Sequence, residues 1–131
     1  MPHIWVEYST NLVPELDVTA LLRVTQDAVI DDGSVYPLAG ARTRGVPVAQ
    51  YLIVDGHPDN SFVHVLVRIG AGRPPEEKQR MGQRAFDAVR RHLAPLADRR
   101  PLGLSLQIEE ADPVCNYKSN NYRDYLAARA R

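Results

Sequence analysis

Twice along this chain a strand-like run leads into an amphipathic helical run and then into a second strand-like run. The first unit opens with PHIWVEY, rich in β-branched and aromatic residues, which reads as a strand. Ile4, Val6 and Tyr8 fall on one face of it, and His3, Trp5 and Glu7 on the other. STNLVPELD then carries helix-entry residues, and PELDVTALLRVTQDAVI repeats Leu21, Leu22, Thr25, Val29 and Ile30 at helical spacing until DDGS stops it. VYPLAGARTRGVPVAQYLIVDG reads as two short extended pieces broken near Gly45, Val46 and Pro47, closing in a turn at DGHPDN.

The second unit begins with SFVHVLVRIG, the strongest strand signal in the chain. Val63, Val65, Val67 and Ile69 line one face and Phe62, His64, Leu66 and Arg68 the other; apolar residues on both faces predict a central strand. AGRPPEEKQRMGQRAFDAVRRHLAPL predicts a helix, with Pro74, Pro75, Glu76 and Glu77 suited to its first turn and Met81, Ala85, Val89 and Leu93 forming a stripe. PLGLSLQIEE alternates, with Leu102, Leu104, Leu106 and Ile108 directed inward. The tail VCNYKSNNYRDYLAARAR reads as a loop and a short terminal helix.

Two strand–helix–strand units make one α/β (α+β) domain over 1–131: a four-stranded mixed sheet, parallel within each unit, with two helices on one face. The other face would stand bare. Its residues look apolar enough to need cover, which predicts burial between subunits.

The 16 basic and 16 acidic residues cancel, which excludes a bulk nucleic-acid binder but permits a local cationic pocket. A single cysteine, Cys115, excludes an intrachain disulfide and fits a reducing compartment. Its loop carries no activating signature, so it reads as a buried or incidental thiol. The N-terminal segment shows no signal-peptide pattern, and no apolar stretch is long enough to span a bilayer; a cytoplasmic protein is expected.

Four residues could carry chemistry together. Once Met1 is removed, Pro2 presents a secondary amine fixed to the end of a strand, and burial or nearby cations would lower its pKa toward neutrality. LAGARTR puts Arg42 and Arg44 on one face of an extended segment, and IGAGRPPEE puts Arg73 between a glycine turn and a helix start. Arginine is the side chain best shaped to grip a carboxylate. The histidines His3, His57, His64 and His92 have no metal-ligand spacing and read as structural or solvated.

PHIWVEYS, YPLAGARTR, FVHVLVRIGAGRPPEEK, LSLQIEE and NYKSNN, in this order, resemble the 5-carboxymethyl-2-hydroxymuconate isomerase family of the tautomerase superfamily. The resemblance covers essentially the whole chain. It implies a cofactor-free isomerase of homoprotocatechuate (4-hydroxyphenylacetate) catabolism, assembled as a homotrimer, acting on a dienol carboxylate. It carries the catalytic amine onto Pro2 and the catalytic, substrate-binding arginines onto Arg42 and Arg73, with Arg44 and Phe62 as further substrate contacts. Another tautomerase activity, such as phenylpyruvate tautomerisation, and a non-catalytic trimeric binding protein remain alternatives.

Overall fold

The computed structural model describes residues 2–130. Its strands are β1 (His3–Ser9), β2 (Arg42–Val48), β3 (Ser61–Ile69) and β4 (Leu102–Glu110), and its helices α1 (Val18–Ile30), α2 (Pro75–Ala97) and α3 (Tyr122–Arg129). They form a four-stranded sheet in the order β2-β1-β3-β4. β1 runs parallel to β2 and β3 parallel to β4, while the two central strands, β1 and β3, pair antiparallel. The two units expected from the pattern are therefore joined back to back, and the strand with two apolar faces is central.

The core lies between one sheet face and helices α1 and α2. Ile4, Val6, Val63, Val65 and Val67 are fully buried there, against Leu21 and Val29 of α1 and Met81, Ala85, Val89 and Leu93 of α2. Each of these side chains except Ala85 contributes about 1.5–3 kcal/mol on burial. The one buried hydroxyl on α1, that of Thr25, donates to the Leu21 carbonyl at 2.7 Å, so it costs the core nothing unsatisfied. α2 begins as its letters require: Pro74 caps it, Pro75 is its first residue, and Glu76 and Glu77 sit at the positive end of its dipole.

Four local expectations need correction. The first helix begins at Val18, not at Pro14. Ser9, Thr10 and Asn11 open a short 3-10 turn at Thr10–Leu12, and the cap is Asp17, whose side chain accepts from the Ala20 amide at 3.0 Å.

The second correction concerns β2, which is one strand running straight through Gly45, Val46 and Pro47. It is an edge strand, where a proline nitrogen need not donate to a neighbour. Gly45 faces α1, and a Cβ there would stand 3.1 Å from Val18 Cγ1. Glycine here allows close packing and does not break the strand.

Third, the sheet face away from the helices is not simply apolar. Register places His3, Trp5 and Glu7 beside Arg42, Arg44 and Val46 on one side, and beside His64, Leu66 and Arg68 on the other. Fourth, of the two readings of Cys115, buried or incidental, its exposure leaves the second. The tail does end in a short helix, and no helix among the described residues is long and apolar enough to cross a membrane.

Candidate active site

Pro2 is buried at the entrance to β1, and its carbonyl accepts from the Arg42 amide at 3.1 Å. That bond fixes Pro2 to the first residue of β2. Because β1 and β3 are antiparallel, with His3 opposite Arg68, the end of β3 and the Gly70–Arg73 turn reach the same end of the sheet. Gly72 takes φ +103°, a conformation that suits glycine, and lets the turn swing Arg73 toward the helix side. There the Arg73 guanidinium donates to the Val35 carbonyl at 3.0 Å and lies 4.8 Å over the ring of Tyr36, which is 1% exposed. Arg73 Nε is buried without a hydrogen-bond partner, so its own protein does not saturate this guanidinium.

Pro2, Arg42 and Arg73 are thus brought to one end of the sheet. Arg44 is two residues along β2 on the open face, where it donates to His3 Nδ1 at 2.9 Å and lies 4.4 Å over the Trp5 ring. Arg68 covers the same indole at 4.8 Å and pairs with Glu109, its Nε donating at 2.6 Å. Phe62 is not brought to Pro2 within one chain: it opens β3 at the opposite end of the sheet, where its amide donates to Ser9 Oγ at 3.0 Å.

His3 belongs to this cluster, although its lack of metal spacing had marked it as structural or solvated. Burial, and then the charges of Arg44, Arg42 and Arg68, hold its pKa below the ordinary imidazole value. Since a guanidinium can only donate, Nδ1 is the acceptor and Nε2 carries the hydrogen. The signal that could have found His3 and Arg68 is strand register, which sets His3 between Arg42 on one side and Arg68 on the other; single-strand alternation gives only which face each occupies.

The tail closes this end. After β4, residues Asn116, Tyr117 and Lys118 line a cleft with His3, Arg68 and Gly70. The chain then continues to α3, which packs on the Leu38–Gly40 turn, and Tyr122 lies under Arg42 with the guanidinium 5.1 Å from its ring. The segment NYKSNN therefore crosses from the β4 edge to the β2 edge, past the strand ends that carry Pro2.

A family model described as 5-carboxymethyl-2-hydroxymuconate isomerase matches residues 2–126. The 5-carboxymethyl-2-hydroxymuconate Delta-isomerase of Escherichia coli is 39% identical over 121 residues, covering 92% of this chain and 95% of that protein. The crystal structure of a 5-carboxymethyl-2-hydroxymuconate isomerase from Deinococcus radiodurans R1 superposes with a TM-score of 0.88 at 32% identity, covering 99% of this chain and 94% of the other. A fused 4-OT described as a wild-type symmetric trimer superposes with a TM-score of 0.65 at 25% identity, covering 91% and 92%.

Proposed function

The chain belongs to the 5-carboxymethyl-2-hydroxymuconate isomerase family, and from that premise we infer how its residues move the proton. It is an isomerase of the tautomerase fold, and its substrate is 5-carboxymethyl-2-hydroxymuconate. With Met1 removed, the Pro2 amine is neutral and takes the proton from the 2-hydroxyl. Electrons shift along the dienolate, and the protonated amine returns a proton to C5. A C2 ketone with a conjugated C3–C4 double bond results, with no atom gained or lost.

What supports this reading is that buried Pro2, Arg42 and Arg73 lie at the same end of the sheet, with the Arg42 amide bonded to the Pro2 carbonyl. Burial and neighbouring cations both disfavour a charged amine, so both favour the free base. Negative charge develops on the 2-oxygen in the dienolate. A guanidinium aimed there is worth about 3 kcal/mol of barrier, by analogy with other oxyanion donors. The other guanidinium holds a distal carboxylate and sets C5 over the amine. Arg44 serves the site by holding His3.

The active assembly is a homotrimer. Supporting this, Leu52 and Val54 are 85% and 94% exposed on the loop before β3, apolar surface of the sort subunits cover. Phe62, distant from Pro2 in its own chain, would contact substrate bound in a neighbouring subunit. The reaction belongs to cytoplasmic degradation of homoprotocatechuate.

The test is an N-terminal extension that leaves Pro2 as an amide. Isomerisation should be abolished while sedimentation still gives three chains per particle. A fully active extended protein would remove Pro2 from the mechanism.

A further inference from the structure

Next to Pro2 on the open sheet face is a cleft of about 60 Å³ that the proton-transfer mechanism leaves unused. His3, Arg68, Gly70, Asn116 and Lys118 line it. It has room for a few waters or for one small polar group such as a carboxylate. His3 Nδ1 is occupied by Arg44, which leaves its Nε2 hydrogen as a donor. Glu109 offsets Arg68 alone, and the neighbouring Glu110 is held by Lys78. Lys118 has no partner among the described residues, so the cleft keeps an uncompensated ammonium.

We propose that Lys118, with His3 and Arg68, forms a carboxylate subsite that reads the carboxymethyl arm of the substrate. The inference rests on the activity proposed above. That substrate carries three carboxylates; with one of Arg42 and Arg73 facing the 2-oxygen and the other holding a distal carboxylate, the remaining two need other donors. Proton return requires C5 over Pro2, and the carboxymethyl arm branches from C5 itself. C5 bears the C6 carboxylate directly and the arm's carboxylate one methylene further out, so the arm extends beyond the amine toward the next residue along the strand, a step of about 3.3 Å. His3 is that residue. A neutral imidazole suits the role, since it donates one hydrogen bond without competing with Arg44. Lys118 reaches the cleft from the exposed tail, where substitution leaves the core intact.

The experiment compares kcat/KM for 5-carboxymethyl-2-hydroxymuconate with that for 2-hydroxymuconate, the same skeleton without the arm. It uses the protein with Pro2 free, its Lys118→Met variant and its Lys118→Arg variant. The preference for the tricarboxylate should fall at least about tenfold in Lys118→Met, the scale of one charge-assisted hydrogen bond, chiefly through KM. Lys118→Arg should keep most of it. An unchanged preference in Lys118→Met would overturn the subsite while leaving the activity standing. No turnover of either enol by the unsubstituted protein would overturn the activity, and the subsite with it.

Discussion

Arg73 is held by the Val35 carbonyl and the Tyr36 ring, and by no acidic side chain among the described residues. Replacing it with alanine removes one hydrogen bond and one cation–π contact, together about 1–2 kcal/mol of stability. Its grip on a substrate anion is charge-assisted and worth about 2 kcal/mol or more. In Arg73→Ala, kcat/KM should therefore fall at least about thirtyfold. The melting temperature should drop by less than about 8 °C. Activity that merely tracked the folded fraction would contradict a substrate-binding role. His3 makes a different demand. Its pKa is lowered in the folded chain, so the unfolded chain binds the proton more readily. Its contribution is complete above about pH 6.5 and is lost as pH falls through the lower folded value. Denaturant titrations between pH 7.5 and 5 should show the native chain losing more stability than His3→Asn. The lowered carboxyls of Asp32, Asp55, Glu110 and Asp112 contribute the same slope to both proteins. Parallel curves would remove His3 from the electrostatic account.

At the scale of elements, the clearest signals in the letters were those with a single physical reading. The Met81, Ala85, Val89, Leu93 stripe and the Pro-Pro-Glu-Glu start admit only an amphipathic helix, and α2 is that helix. The start of α1 was obscured because Ser9, Thr10, Asn11 and Asp17 are all cap-forming residues, and only backbone geometry selects Asp17. Asp17→Ala should therefore cost about 1 kcal/mol in denaturant unfolding, with an unchanged m-value. An unaffected midpoint would show that the cap does not hold α1. The misreading of β2 has a similar origin. Glycine and proline are breakers on average, but here Gly45 admits Val18 and Pro47 lies on an edge strand, and neither circumstance is visible before strand order is known.

Over the whole molecule, the candidate site divides along the same line. Pro2, Arg42 and Arg73 are candidates in the sequence because the family resemblance carries roles onto them; taken singly, each also has an ordinary structural reading. Their convergence, and the addition of His3, Arg68 and Lys118, depend on the β2-β1-β3-β4 order and on the path of the tail, properties of three-dimensional register. Phe62 shows the reverse, since register puts it at the far end of the sheet and leaves only assembly to bring it to a site. The two helices cover one sheet face, the tail closes one end, and the strand that carries the proposed base runs through the centre. In the proposed mechanism this architecture holds Pro2 as a neutral amine for moving a proton within 5-carboxymethyl-2-hydroxymuconate. The most direct measurement is ultraviolet-monitored isomerisation of that compound by protein whose intact mass shows Met1 removed. Rapid conversion to the conjugated ketone is expected; no conversion by an intact oligomer with a free Pro2 would contradict it.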